Sequence, residues 1–491
     1  MINFKNSQDI QISGTEAGLD YRSSAFSIYL NLLNLFNSRE LLLLESLGPG
    51  SIDSKTSLIG INPVFNLEVF DLIVTITSNE ELLKRIGLIY KGELLIEHGV
   101  RTLRYKLKNR NSVWDFLRLL DSEFKTVDGG VLAFTTLGYS VIHFVENIAG
   151  YVKGDMPDIS LTCYSNYIEF DDDRVRLHEY GYLGSEVVNL SRLKPCLTSR
   201  YVSPATVTNK TFEIKRETHK REYLHKAITA LNHVRMGDVY QIQIGHKINI
   251  RSDASAIDVY TRLRSFNPSP YMYLFQCGNF EVIGASPELF IYMRDDEVLM
   301  RPIAGTLGKS VVPTKDAAIE EFRDNVKEVA EHMMLVDLCR NDLCKISCPH
   351  SLHVPDLMSV EEYSHVYHMV STTQAVVRRE YDKYDVIKAS FPAGTMTGTP
   401  KIRAIELISE LEDSSRGLYA GALGIIGLGV NYINTALCIR TAIKHDQIFT
   451  LRASAGIVSD SIVQSEYAET LQKMGSVFKA ITDEEISCHI V

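Results

Sequence analysis

The stretch from Asp324 to Asp342, DNVKEVAEHMMLVDLCRND, constrains this chain more than any other. Val326, Val329, Met333 and Val336 recur at the spacing of one buried helix face. Glu328 and Glu331, three residues apart, share the roughly opposite side, which Leu335 and Leu338 continue as apolar. A helix that is apolar nearly all round belongs in a core. Two carboxylates on such a helix are costly unless a cation or a hydrogen-bond network receives them. A second run near the C-terminus, SEYAETLQKMGSVFKAI, repeats the arrangement. Glu466, Glu469 and Lys473 fall on one side, and Tyr467, Leu471, Met474 and Phe478 on the other. Either pair alone reads more simply as a solvated helix face. The two together predict a hard-metal site with oxygen ligands, of the Mg²⁺ type.

The bulk properties exclude several classes. A chain of 491 residues with 45% hydrophobic and 23% charged content has the make-up of a globular protein of two or three domains. Its net charge of −10 argues against a nucleic-acid or membrane-surface partner. MINFKNSQDI lacks the basic and apolar regions of a secretory leader, and no apolar run is long enough to span a bilayer. Eight scattered cysteines read as reduced thiols in the cytoplasm. Cys339, Cys344 and Cys348 cluster, but an iron–sulfur site needs a fourth ligand and another spacing.

Along the chain, residues 1–24 read as a polar lead-in and 25–190 as a first domain. A Ser-, Thr- and Pro-containing linker follows over 191–212, and a second domain over 213–485. Hairpin-like strand pairs alternate with helices over 256–266, 316–345, 400–411 and 464–480, which predicts an α+β fold with helices packed on antiparallel sheets.

Several short motifs could carry chemistry. In PAGTMTGTPKIRAIELI, Thr399 is a candidate N-cap and Pro400 a candidate first helical residue. The glycines before them could offer backbone N–H groups to an anion, or simply make a tight turn. In RASAGIVSDS, Ser454, Ala455 and Gly456 are small enough for a carboxylate to meet main chain. Arg440 and Arg452 offer planar donors suited to carboxylates, although either singly reads as an ordinary ion-pair residue. Glu288, in GASPELF, could act as a general acid if burial raises its pKa. His368, taken alone, reads as a satisfied core histidine.

Taken jointly and in order, LLLLES, GDVYQIQIG, NPSPYMYLF, GASPE, RPIAGT, KEVAEHMMLVDLCRND, YSHVYH, PAGTMTGTPK, IRTA, RASAGIVSDS and EYAET resemble anthranilate synthase component I, within the chorismate-utilising enzymes. The resemblance covers most of residues 25–480. It implies two intertwined αβ domains around stacked antiparallel sheets, and it implies Mg²⁺. Glu331 and Glu469 match metal-ligating glutamates, with Glu328 and Glu466 beside them. Gly305, Thr306, Tyr419, Arg440, Ser454, Ala455, Gly456 and Lys473 match chorismate-binding positions, and Glu288, His368 and Thr395 match residues near the reacting ring. The implied reaction is attack of ammonia at ring carbon 2 with loss of the hydroxyl at carbon 4, then elimination of pyruvate to give anthranilate for tryptophan biosynthesis.

Two positions separate branches of the family. Gln241 stands where isochorismate-forming enzymes place a lysine base; an amide cannot serve as a general base, so the nucleophile is ammonia. Ala304 stands where 4-amino-4-deoxychorismate synthases place a nucleophilic lysine, which moves the expectation to anthranilate. Aminodeoxychorismate synthase component I is the runner-up, and a non-catalytic tryptophan- or chorismate-sensing subunit is a more distant third. No Gly-x-Cys-x-Gly turn is present, so a separate glutamine amidotransferase subunit is expected to supply ammonia. Leu44, Glu45 and Ser46, with Asn267, Pro270, Tyr271 and Met272, match positions that bind L-tryptophan as feedback inhibitor. Cys339, Cys344, Lys345 and Ala133 depart from the family pattern, at positions of packing rather than ligand contact.

Overall fold

The computed structural model describes residues 5–10, 25–48, 56–90, 93–97, 100–125, 130–171, 174–180, 187–198, 211–216, 218–363 and 366–488. Strands and helices are mixed, and among the described residues the strand pairings are antiparallel, as the alternating hairpin-like and helical segments predicted.

One ladder can be walked strand by strand. It starts at Phe212–Arg216, passes to Gln241–Ser252, Ile448–Ile457, Thr441–His445 and Phe280–Ser286, and reaches Tyr271–Cys277. The next partner is Leu41–Glu45 from the first half of the chain, followed by Ser57–Phe70, Ile159–Phe170 and Val131–Leu137. The ladder then re-enters the second half at Ala422–Leu428, Tyr432–Leu437, Leu289–Arg294, Glu297–Met300 and Val366–Val376. Strands of the first half thus lie between two groups from the second. This is the intertwining that the resemblance implied, and a cut at residue 190 divides the sequence without dividing the core. The strand Leu41–Glu45 can sit in mid-ladder because Leu41, Leu42 and Leu43 are each at most 1% exposed, apolar on both faces.

Three expectations are corrected. Within the lead-in, Lys5–Ile10 is tied down, since it pairs with Val175–Tyr180. The linker opens with a helix, Leu190–Thr198, whose Leu193, Cys196 and Leu197 are buried and whose Cys196 carbonyl accepts from Asn31 Nδ2 at 3.0 Å. Residues 199–210 of that linker lie outside the described residues. The helix expected over 316–345 is two helices, Lys315–Asp324 and Val326–Cys344. They divide at Asn325, whose side chain accepts from the Glu328 N–H at 3.1 Å as an N-cap.

The second of these helices is a core helix only in part. Val326 is 80% exposed, and the buried side is His332, Leu335, Val336, Cys339, Asp342 and Leu343. The end bearing Glu328 and Glu331 is a rim. The other acidic helix, Val463–Thr482, buries Tyr467, Leu471, Met474 and Phe478 as the spacing predicted. Thr399 is not an N-cap: Gly398 and Thr399 pair with Ile242 and Gln241 as a short strand, and the helix begins at Lys401 without a side-chain cap. Cys339 is buried and Cys344 exposed, with both thiols free. Among the described residues no helix is long and apolar enough to cross a membrane.

Candidate active site

The floor of the site is a pair of neighbouring strands. In Gln241–Ser252, Gln241 and Gln243 project to the same face because alternate residues share a side. The partner strand places Gly456 opposite Gln243 and Ser454 opposite Gly245. A Cβ at position 456 would lie 2.6 Å from Gln241 Nε2 and 3.1 Å from Gln243 Nε2, so both amides rest on bare glycine backbone. Ser454 Oγ donates to Gln243 Oε1 at 3.0 Å and meets the Tyr419 hydroxyl at 2.7 Å. Lys473 Nζ reaches in from the C-terminal helix to donate to the Ser454 carbonyl at 3.0 Å. Tyr419, Ser454, Ala455, Gly456, Lys473 and Gln241 are therefore brought together. Gln243 was missed, although period-two alternation after Gln241 was a sufficient signal.

Gln241 also crosses to the acidic helix. Its Nε2 donates to Glu331 Oε1 at 3.1 Å, which fixes the amide and leaves its buried Oε1 without a hydrogen-bond partner.

Glu288 sits at a strand junction just before Leu289–Arg294 and is 7% exposed. Burial pushes its carboxyl up to about 8 against the pull of Thr395 beside it, Lys473, the Ile303 backbone and Arg440. Thr395 Oγ1 is itself buried and lacks a partner in hydrogen-bond geometry. Arg440 adopts a left-handed backbone conformation with φ of 51°, uncommon for a side chain of this size. Burial disfavours its charge, and Glu288 offsets part of that effect.

His368, 5% exposed, lies on the other side, with Nδ1 at 3.0 Å from Thr306 Oγ1 and 3.3 Å from the Gly305 carbonyl. Burial and the nearby Arg440 charge lower its pKa to about 4, so the ring is neutral at physiological pH. Gly305 has φ of +74°, and a Cβ there would lie 2.8 Å from Phe322 and 3.1 Å from Glu328 Oε2. Glycine thus lets this turn approach the acidic helix.

The four glutamates from two distant segments are electrostatic neighbours. The carboxyls of Glu328, Glu331 and Glu466 are all raised, first by burial, with Glu469's charge contributing to each. Glu469 is held by Lys473 at 2.7 Å, and Glu466 accepts from Ser461 Oγ at 2.7 Å. This all-oxygen set, uncomfortable with its own charge, fits a hard divalent cation in its chemistry. Among the described residues, however, no group of three or more His, Cys, Asp or Glu stands close enough to enclose a metal ion.

Arg452 is not available as a substrate donor. Its guanidinium donates to Glu412 at 2.7 Å, Ser414 at 3.0 Å and the Ser415 carbonyl at 3.1 Å. Glu412 also takes Arg416 at 2.8 Å, and the two arginines hold its carboxyl down near about 2 despite burial.

The two segments that carry the inhibitor-binding candidates are neighbours. Glu45 pairs with Met272 and Leu44 with Tyr273 across neighbouring strands, and the Leu47 N–H donates to the Ser269 carbonyl at 3.0 Å. Pro270 packs against Gly48, while Asn267 Nδ2 reaches Ser476 Oγ at 3.4 Å. The Glu45 carboxylate is engaged, taking Tyr260 at 2.6 Å and both Arg264 Nε at 2.9 Å and Nη2 at 3.1 Å.

The sequence profile described as chorismate binding enzyme matches residues 80–479. A 2-amino-4-deoxychorismate synthase of Streptomyces globisporus is 39% identical over 477 residues, covering 94% of this chain and 95% of that protein. Anthranilate synthase component 1 of Pseudomonas aeruginosa is 32% identical over 480 residues, covering 94% and 93%. The crystal structure of anthranilate synthase component I from Streptococcus pneumoniae superposes with a TM-score of 0.68 at 28% identity, covering 87% of this chain and 93% of that one. A match over residues 80–479, most of the sequence, means that this chain belongs to the family of chorismate binding enzymes.

Proposed function

We propose that this chain is the ammonia-adding large subunit of a two-component chorismate enzyme and that it places the amine at ring carbon 2. The observation that carries the reading is the burial of Glu288 beside Thr395 and within the field of Arg440 and Lys473, a burial that pushes its carboxyl up to about 8. Arg440, Lys473, Tyr419 and the backbone of Ser454–Gly456 receive the carboxylates of the dianionic substrate. Glu288 gives its proton to the hydroxyl leaving carbon 4, which departs as water. The free Oε1 of Gln241 accepts a hydrogen bond from ammonia and aims its lone pair at carbon 2. Glu331 and Glu469, with Glu328 and Glu466, would hold Mg²⁺, which when bound supplies positive charge against the ring carboxylate. Neutral His368, hydrogen-bonded to Thr306, would assist proton movement at the ring.

Elimination of pyruvate from that adduct yields anthranilate, and the anthranilate synthase reaction is the first reading. A second is favoured by a specific observation. The S. globisporus relative, at 39% identity against 32% for the P. aeruginosa enzyme, is named for an amine at carbon 2 and no oxygen at carbon 4. That compound is the same adduct before pyruvate leaves. Ala304, which carries no amine, speaks against 4-amination by a lysine nucleophile.

Ammonia would come from a glutamine amidotransferase subunit. L-Tryptophan feedback is proposed at Leu44–Ser46 with Asn267–Met272, using Ser46 and main chain, since Arg264 and Tyr260 take the Glu45 carboxylate. Incubation with chorismate, Mg²⁺ and an ammonium salt separates the readings. Fluorescent anthranilate with equimolar pyruvate supports the first, and a non-fluorescent 2-amino product without pyruvate the second. A 4-amino product would sink the amination at carbon 2.

A further inference from the structure

Arg440 stands in the bend between two strands, Tyr432–Leu437 and Thr441–His445, with φ of 51°. A left-handed backbone is costly for a residue other than glycine and persists where surrounding bonds over-determine it. Two such bonds flank Arg440. The carbonyl before it, of Ile439, accepts from Thr441 Oγ1 at 2.9 Å, and its own carbonyl accepts from the Ala285 N–H at 3.2 Å. The first of these depends on which way a threonine hydroxyl turns, and that hydroxyl is met from two strands away. Tyr273 pairs with Gly284, and Gly284 pairs with Thr441, so the three residues stand in line across neighbouring strands. A Cβ at position 284 would collide with the Tyr273 ring, so bare glycine lets the ring cross the middle strand. The Tyr273 hydroxyl then meets Thr441 Oγ1 at 2.5 Å. With the Thr441 proton committed to Ile439, the tyrosine donates and the threonine accepts. Tyr273 is fully buried, and burial pushes its hydroxyl well above the usual range, so it keeps its proton.

We propose that Tyr273 is a positioning residue for Arg440: its hydroxyl locks the Thr441 clasp, the clasp fixes the bend, and the bend aims the guanidinium at a carboxylate of the substrate. This rests on the reading in which Arg440 receives such a carboxylate. A planar guanidinium grips a carboxylate through two parallel bonds, so its hold depends on the angle of approach more than that of a flexible ammonium does. A bend free to rotate would keep the charge nearby and lose the angle. The effect of Tyr273 therefore belongs to the binding of chorismate and not to the chemical step.

Titration calorimetry of the full chain with chorismate and Mg²⁺, and with no ammonium salt, tests this without amination. Tyr273→Phe, which removes only the hydroxyl, should weaken chorismate about tenfold, as the loosening of one charge-assisted contact implies. Thr441→Val should do the same, and it serves should Tyr273→Phe fail to fold. Tyr167→Phe is the control: it loses another buried hydroxyl, bonded to the Leu132 carbonyl at 3.0 Å, and should leave the affinity unchanged. In an Arg440→Lys background, whose ammonium does not need the angle, Tyr273→Phe should cost less than about twofold further. With ammonium present, the chorismate KM of Tyr273→Phe should rise about tenfold while kcat stays within about twofold. Unchanged affinity in Arg440→Lys alone would sink the reading on which the proposal rests. A loss in Arg440→Lys with none in Tyr273→Phe would overturn the proposal by itself. So would an equal loss in Tyr167→Phe, a full tenfold loss again in the Arg440→Lys background, or a fall in kcat at constant KM.

Discussion

Gln241 donates from Nε2 to Glu331 Oε1 at 3.1 Å, so a strand residue and a carboxylate from the acidic helix hold one another in orientation across the site. The bond takes up one end of the amide and leaves the other, the buried acceptor Oε1, without a hydrogen-bond partner. Replacing Gln241 with Leu should lower kcat/KM for ammonia by about tenfold or more, while the chorismate KM changes little. Steady-state kinetics with ammonium as the varied substrate would check this; an unchanged ammonia term removes Gln241 from the reaction.

Glu331→Gln keeps the size and removes the charge. If these acids hold a divalent cation, the variant should lose activity by roughly a thousandfold and need far more Mg²⁺ for half-maximal rate. A variant with full activity and the same Mg²⁺ dependence would refute the metal assignment.

Glu288 has a folded-state pKa raised to about 8 from an ordinary 4.5. The rate should therefore fall as pH rises through about 8, where the acid is lost. The same shift acts on stability. With the folded pKa above the unfolded one, its contribution is fully present below about 4.5 and declines as pH rises toward 8. Glu288→Gln should be inactive yet lose less Tm than the unaltered chain between those limits, a comparison that thermal melts can make.

The Glu45 side chain is 0% exposed and bound by Arg264 and Tyr260. Glu45→Ala would leave a partly buried arginine and a buried hydroxyl without their acceptor, costing about 3–5 kcal/mol in denaturant unfolding. Arg264→Met should cost a similar amount. A loss below about 1 kcal/mol would show that the pair is a surface-like contact. If tryptophan inhibition survives Ser46→Ala, the proposed inhibitor site is wrong.

What the linear chain determined was periodicity and local chemistry. The spacing of Tyr467, Leu471, Met474 and Phe478 suffices to define a buried helix face, because that face repeats every turn whatever lies beneath it. The resemblance carried by the ordered motifs named Glu288, Tyr419, Ser454–Gly456 and Lys473 together, and the folded chain makes them neighbours. Sequence did not show that Val326 would stand exposed at a rim, since an apolar residue at the right spacing looks the same with or without a neighbouring element to cover it. Nor did it show that the first-half strands lie inside the second-half ladder, because pairing across hundreds of residues leaves no local trace. Arg452 and Glu45 looked like ligand-binding groups, and tertiary structure gave each a protein partner instead. A charged side chain's role depends on which opposite charge reaches it first, and only the folded chain decides that.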